Sequence, residues 1–269
     1  VAIGVNSLFT NTTGSQNVAI GRGALYENET ASNNTAVGYH ALEENTTGEF
    51  NVAVGNFALD QSTTASSSTA VGYNSLGANT TGIFNIGLGT NSLANNTTAN
   101  DNTAVGTNAL LVNTTGEANT AIGKSALDAN TTASFNTAVG SGSIGACTTG
   151  HRNVAMGAAS GSAVSTGTHN TLIGTEAGTN LTTGTNNLNL GFQSFSSSAT
   201  VSNEVTLGNG SIATLRCNTQ TISSLSDARD KTNVIDLPEG LDFISKLRPV
   251  KFEWATRDGN GKDGSYEHG

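Results

Sequence analysis

Residue types that do chemistry are sparse in this chain, and three short patterns among them need weighing. Gly140, Gly142 and Gly145 have the spacing of a dinucleotide-binding loop, but such a loop opens a helix and no helix is predicted after it. Segment 258–264 is rich in Asp and Gly like a calcium-binding loop, yet Lys262 stands where an oxygen ligand is needed. We therefore expect an ordinary loop there, and no cofactor or metal.

The cysteines and carboxylates give equally little chemistry. Cys147 and Cys217 lack the spacing of a metal site or a redox pair, so both are expected to be small, buried or half-buried residues. Cleavage of a glycosidic bond needs two carboxyl groups about 5–10 Å apart in a groove. The acidic residues of the first 225 positions are instead scattered at offsets expected to face outward, for example Glu43, Glu49, Asp60 and Asp128.

Charge divides the chain into two parts. Segment 1–225 carries 15 charged side chains, whereas the much shorter segment 226–269 carries 16, together with both prolines and the single tryptophan. This shift predicts a domain boundary near Ser226. The net charge of −9 argues against a nucleic-acid partner, and the lack of an 18-residue apolar run argues against membrane insertion.

The elements that must position any site come from a 17-residue repeat. Thirteen glycines, called the ladder glycines below, recur at this interval: Gly4, Gly21, Gly38, Gly55, Gly72, Gly89, Gly106, Gly123, Gly140, Gly157, Gly174, Gly191 and Gly208. Positions are counted from the ladder glycine. Position −1 is aliphatic or Met, +3 is Ala or Ser, and −4 is Asn in ten of twelve units. Thr-Thr-Gly or Thr-Thr-Ala follows at +8 to +10 in most units.

A unit of this length and composition suits one coil of a β-solenoid. The β-branched residues before each glycine favour a short strand, and recurrent Gly, Asn and Thr-Thr disfavour a helix. We expect two short strands and two turns per coil, coils stacked about 4.8 Å apart, and a rod of roughly 60 Å. The Asn column predicts side-chain amides that bond from coil to coil. The alternation of Gly and Ala at +10 leaves a 34-residue unit open.

The repeats VAIGRGAL (18–25), AVGYHAL (36–42) and AIGKSAL (121–127) resemble the head repeats of trimeric bacterial autotransporter adhesins and repeats of phage tail fibres. The adhesin heads are trimeric parallel β-rolls. This resemblance implies an all-β shaft, a trimeric parallel β-roll or β-solenoid with 17-residue coils, over residues 1–212. Residues 213–225 would form a neck.

The charged tail predicts a small α+β unit. Asp236 is a suitable helix cap with Pro238 in the first turn, and Leu237, Leu241 and Ile244 share one helical face. After Pro249, residues 250–254 alternate like a half-buried strand, followed by the loop at 258–264 and a strand opening at Tyr266. From the residues alone, Ser226 and Asp227 form a turn and Lys231 is a surface charge.

This tail resembles the intramolecular chaperone domain of phage endosialidases and tail fibres. The residues that carry the resemblance are Ser226, Asp227, Arg229, Lys231, Asn233, Gly240, Leu241 and the run LRPVKFEW (247–254), which includes Pro249, Phe252 and Trp254. The family's domain is longer than this tail, so 226–269 is expected to be its N-terminal part. The resemblance implies self-cleavage between Ser226 and Asp227, with Ser226 as the nucleophile and Lys231 as its base.

Together these features predict a structural, receptor-binding tail fibre of a virion. The expected partners are two further copies of the chain, forming a homotrimer, and a host cell-surface receptor, either a glycan or an outer-membrane component. The only enzymatic activity expected is self-processing by a serine–lysine endopeptidase. Three alternatives stay open: a trimeric adhesin on a bacterial surface, the shaft of a polysaccharide-degrading tailspike, and an ice-binding solenoid. The last is disfavoured because adjacent threonines in a strand point to opposite faces.

Overall fold

A computed structural model describes residues 1–216, 251–255 and 262–268. The chain divides into two compact units, Val1–Thr214 and Leu215–Gly269. None of the described residues is helical, so they include no helix that could span a bilayer.

The first unit is a parallel β-solenoid, which confirms the predicted all-β fold. Thirteen strands form a single sheet in chain order, and each residue pairs with its equivalent in the next repeat, as Thr35 does with Val52. The structural unit is therefore the single 17-residue coil and not a pair of coils. The strands are β1 (Ala2–Ile3), β2 (Val18–Ile20), β3 (Thr35–Val37), β4 (Val52–Val54), β5 (Thr69–Val71), β6 (Ile86–Leu88), β7 (Thr103–Val105), β8 (Thr120–Ile122), β9 (Thr137–Val139), β10 (Val154–Met156), β11 (Thr171–Ile173), β12 (Leu188–Leu190) and β13 (Val205–Leu207).

The prediction of two strands per coil was wrong, because each coil contains one strand and the rest is turn. The physical reason is that left-handed backbone recurs outside the strand. In the third coil, His40, Leu42 and Phe50 have φ of 54°, 51° and 61°. A strand needs negative φ at every residue, so these corners at +2, +4 and +12 interrupt any second strand.

The core is a column of small and aliphatic side chains. In most coils the residue at −2 is a fully buried alanine, such as Ala36, and the residue at +3 is a buried Ala or Ser, such as Ala41. Leu42 at +4 is also fully buried, as is Leu at this position in the neighbouring coils. The +3 residues lie close to the strand of the next coil, since the hydroxyl of Ser75 donates to the carbonyl of Gly87 at 2.9 Å.

The ladder glycines end each strand where consecutive coils approach closely. Gly38 has φ of 147°, and a Cβ atom built on it would lie 2.4 Å from the carbonyl oxygen of Gly55. Both the conformation and the contact exclude a side chain. This explains the invariant glycine in all thirteen units.

Asparagines connect the coils through two columns, only one of which was predicted. At −4, the Oδ1 atom of Asn34 accepts a hydrogen bond from the backbone N–H of Asn51 at 2.9 Å, and its Nδ2 donates to the carbonyl of Gly48 at 2.8 Å. Bonds between side-chain amides, predicted for this column, form there only in later coils, as from Asn170 to Asn153 at 3.1 Å.

The main amide-to-amide ladder lies at +7 instead. Asn28 donates to Asn11 at 2.8 Å and Asn45 donates to Asn28 at 3.1 Å. The same bond recurs from Asn96 to Asn79, from Asn113 to Asn96 and from Asn130 to Asn113, at 2.8, 2.9 and 2.7 Å. These buried side chains stack at one residue per coil, so their bonds repeat along the solenoid axis.

The paired threonines have different surroundings. Thr46 at +8 donates its hydroxyl to the carbonyl of Thr63 in the next coil at 3.0 Å, whereas Thr47 at +9 is exposed. Both lie in a turn rather than a strand. One threonine of each pair thus joins coils and the other faces outward.

In the second unit the described residues form an antiparallel hairpin of β14 (Lys251–Ala255) and β15 (Lys262–His268). The strand predicted over residues 250–254 is confirmed by β14 at 251–255. The second strand begins at Lys262, four residues before the predicted Tyr266, so the predicted loop is shorter than expected. The predicted helix of this tail lies outside the described residues.

Candidate functional site

The most extensive unusual surface of the solenoid is an uninterrupted row of aliphatic side chains at position −1, called the aliphatic row below. Each strand contributes its last residue to this row, and none of the thirteen is buried. The row comprises Ile3, Ile20, Val37, Val54, Val71, Leu88, Val105, Ile122, Val139, Met156, Ile173, Leu190 and Leu207.

Its exposure follows from strand geometry. Alternate strand residues point to opposite faces, so the buried residue at −2 forces its neighbours at −3 and −1 outward. Leu88 and Ile122 are 45% and 40% exposed, and Ile86 at −3 is 43% exposed. No charged residue occurs at −3, −2 or −1 in any unit. An apolar face this continuous is unusual for a surface that stays in water.

A second surface is an aromatic cluster formed by Arg22, Tyr39, Phe57 and Tyr73 in four consecutive coils. The ring centroids of Tyr39 and Phe57 lie 5.3 Å apart at 80°, and those of Phe57 and Tyr73 lie 5.9 Å apart at 86°. The guanidinium of Arg22 lies 5.7 Å from the centre of the Tyr39 ring. Tyr73 is 53% exposed, so the cluster offers an aromatic surface to a ligand.

The expectation that the carboxylates are scattered was wrong for one pair. Glu43 and Asp60 both occupy position +5 in consecutive coils, and the solenoid stacks them beside each other. His40 completes a group whose ligand atoms all lie within 4.8 Å of one another. The signal was present in the sequence, because the two acids are separated by one repeat and so share a column.

Burial and like charge act on this pair. Burial and the carboxylate of Glu43 raise the pKa of Asp60 to about 6, with Glu44 adding to the increase and His40 opposing it. The Nδ1 atom of His40 contacts the carboxylate of Glu43. Asp60 Oδ1 is shielded from solvent and has no hydrogen-bond partner among the described residues.

The structure tests few of the sequence-predicted site residues. Ser226, Asp227, Arg229, Lys231, Asn233 and Pro249 lie outside the described residues. Phe252 and Trp254 lie in β14, where Phe252 pairs with Glu267 and Trp254 falls at a register shift between Glu253 and Ala255. Cys147 is buried at +7 as expected, whereas Cys217 is outside the described part.

Comparison with known proteins concerns the same tail. A family model described as the chaperone of endosialidase matches residues 226–269. The match begins at Ser226, where the charge of the sequence changes. No curated protein and no solved structure matches the chain.

Proposed function

We propose that the chain is the shaft and receptor-binding region of a viral tail fibre, followed by a chaperone segment that assembles it. The observation that carries the proposal is the presence in one chain of a β-solenoid and, from Ser226 onward, a segment that matches the chaperone of endosialidase. A β-solenoid shaft joined to such a chaperone suits a tail fibre or tailspike, and its location would be the virion.

The shaft is proposed to be a homotrimer in which the aliphatic row lies at the contact between chains. The row is uncharged and continues through every coil, so three copies would cover it along their whole length. Seven of its thirteen members are exposed, among them Leu88 and Met156 at 45% each, and the other six are half-buried. Burying such a face stabilises an assembly by about 25 cal/mol for each Å² removed from water.

A trimer of equal coils needs an external source of register. Each strand pairs at an offset of one repeat, and the residue types recur at the same interval. Three chains displaced by one unit would therefore lose only terminal contacts. A terminal domain that trimerises first would align the chains, and the coils would then form from that end.

The chaperone segment is proposed to remove itself after assembly. Ser226 would act as the nucleophile. Lys231, as a neutral amine, would accept the proton of the Ser226 hydroxyl. The net reaction breaks the amide bond between Ser226 and Asp227 and consumes one water molecule. It leaves a carboxylate on Ser226 and an amino group on Asp227. The separated shaft would then be retained by a high barrier to unfolding.

The aromatic cluster supports the receptor-binding part of the proposal. Tyr39 and Tyr73 are 37% and 53% exposed, and both pack edge-on against Phe57 between them. Their exposed rings could stack on sugar rings, which fits a surface glycan. A bacterial surface adhesin would use the same repeats, and a tailspike would use the solenoid as its shaft, so both stay as alternatives. The chaperone match favours the fibre over the adhesin.

The test is the intact mass and oligomeric state of the full natural chain beside its Ser226→Ala variant. We expect a shaft product ending at Ser226 as a trimer, and an uncut trimer for the variant. Equal cutting of both proteins would exclude the role of Ser226. A shaft that folds uniformly as a monomer would contradict the proposal of a trimeric fibre. It would also remove support from the adhesin and tailspike alternatives.

A further inference from the structure

Positions +2 and +5 of the third coil and +5 of the fourth carry a group of side chains that the fibre function does not use. His40 and Glu43 belong to one coil and Asp60 to the next, and one ligand atom from each lies within 4.8 Å of the other two. The group is half-buried: the side chains of His40 and Glu43 are 22% and 28% exposed. It lies between stacked coils rather than on a mobile loop.

The backbone fixes this arrangement before any ligand binds. His40 occupies the left-handed corner at +2, with φ of 54°, and its N–H donates to the carbonyl of Arg22 at 3.0 Å. Its ring packs against Tyr39, with centroids 3.9 Å apart, and lies 5.9 Å from the ring of Phe57. The stacking of coils then places Asp60 beside Glu43.

The stacking of coils places two carboxyl groups beside one imidazole. Glu43 and Asp60 each contribute a carboxylate oxygen to the group, and His40 contributes a ring nitrogen. Asp60 Oδ1 is shielded from water and lacks a hydrogen-bond partner within the described part of the chain. A buried carboxylate oxygen without a partner is costly, and a bound cation would satisfy it.

We propose that His40, Glu43 and Asp60 bind a divalent transition-metal ion that joins two consecutive coils. One imidazole nitrogen and two carboxylate oxygens suit Zn²⁺, and next to it Mn²⁺, whereas Ca²⁺ prefers oxygen ligands alone. Ligands at about 2.1 Å from a tetrahedral ion lie about 3.4 Å apart, which small side-chain rotations within the observed group achieve. Water would complete the coordination.

The ion would crosslink two consecutive coils. Its ligands come from both sides of one coil boundary, so it would be bound by the folded solenoid and lost on unfolding. Binding to the native state alone raises apparent stability with ion concentration. The site needs only one chain, because all three ligands belong to the same protomer.

Two substitutions and one control make the site testable. His40→Asn removes the nitrogen ligand and keeps a residue that +2 accepts elsewhere, since Asn6, Asn74, Asn91 and Asn108 occupy that corner. Asp60→Asn removes a charged ligand with little change in shape. Asp128→Asn is the matched control at +5, in a coil where Ser125 replaces the histidine.

The experiment is calorimetric titration of the untagged, chelator-treated protein with ZnCl₂, and separately with CaCl₂, together with thermal unfolding. We expect one Zn²⁺ per chain, a rise in Tm with Zn²⁺, and weaker binding by about tenfold or more in His40→Asn and Asp60→Asn only. Circular dichroism verifies that each variant keeps its fold. Absence of Zn²⁺ binding, binding unchanged in both ligand variants, or equal affinity for Ca²⁺ would each overturn the proposal.

Discussion

The side-chain amide of Asn45 donates to Oδ1 of Asn28, one repeat earlier, at 3.1 Å, but the ladder of which this bond is part stops at Asn45. The next residue in the column is Ser62, which is too short to continue it. Asn45 Oδ1 and Ser62 Oγ are both buried without a hydrogen-bond partner among the described residues. The ladder resumes at Asn79.

Restoring the ladder should stabilise the solenoid. In Ser62→Asn, the new amide would donate to Asn45 Oδ1 and accept from Asn79, as Asn28 does between its own neighbours. Satisfying these buried atoms should raise the free energy of unfolding by about 1–2 kcal/mol. Chemical denaturation measures the effect, and Ser62→Ala serves as the control for side-chain size. A Ser62→Asn protein no more stable than the Ser62→Ala protein would show that the slot does not accept the amide.

Glycine should be essential at the ladder position Gly38 and replaceable at Gly142. Gly38→Ala would place a Cβ atom 2.4 Å from the carbonyl oxygen of Gly55, so we expect a loss of about 3 kcal/mol or more. Gly142 also has positive φ, at 65°, but a Cβ atom added to it would have no neighbouring atom within 4 Å. Gly142→Ala should therefore cost only about 1 kcal/mol of backbone strain. Thermal unfolding compares the two, and equal losses would disprove the close-approach explanation.

The Cys147 thiol should be protected and should make stability fall at high pH. Burial raises its pKa to about 11 from an ordinary value of 9.0. Below pH 9 the thiol is neutral in both states. Between pH 9 and 11 the Cys147 thiol ionises in the unfolded chain but stays neutral in the folded one. This lowers the free energy of the unfolded state, so the contribution of Cys147 to stability is lost as pH rises.

Two measurements on a Cys217→Ser background test this. A disulfide reagent at pH 8 should label Cys147 only after unfolding, because the thiolate is scarce and shielded. The urea midpoint should fall more between pH 8.5 and 10.5 than it does in a protein that also carries Cys147→Ala. Rapid labelling of the native protein would show that the thiol is open to solvent.

A charge in the aliphatic row should disrupt the proposed trimer without unfolding the coils. Leu88→Glu and Ile122→Glu place carboxylates on side chains that are 45% and 40% exposed in the single chain. Three such charges would face one another in a trimer, so sedimentation should show monomers. Thr98→Glu, on the exposed position +9, should remain trimeric. A trimer that survives both row substitutions would place the interface on another face.

Periodicity made much of this fold predictable, and local backbone conformation accounts for what was missed. The interval between Gly38 and Gly55 gives the coil length and the strand register directly. The left-handed φ of Leu42, at 51°, has no sequence signal, because leucine does not favour that region and only the packing of its side chain holds it there. Because these corners leave no signal in the sequence, a second strand per coil was wrongly predicted.

The candidate sites follow the same pattern. The outward side chains at −1 follow from the alternation of a strand, once Ala36 is recognised as buried. Predicting that Glu43 and Asp60 lie close together would have required treating the +5 residues of successive coils as stacked neighbours. The varied residue types at +5 made this column hard to recognise. Residues such as Ser226 and Lys231 were identified by resemblance alone, and their mutual geometry belongs to the part of the chain that the structure does not describe.

The constant offset of one repeat between paired strands also makes the solenoid a molecular ruler. Removing or duplicating one unit would keep the backbone pairing between successive strands and change the length by one coil, about 4.8 Å. The number of coils would thus set the distance between the two ends of the solenoid.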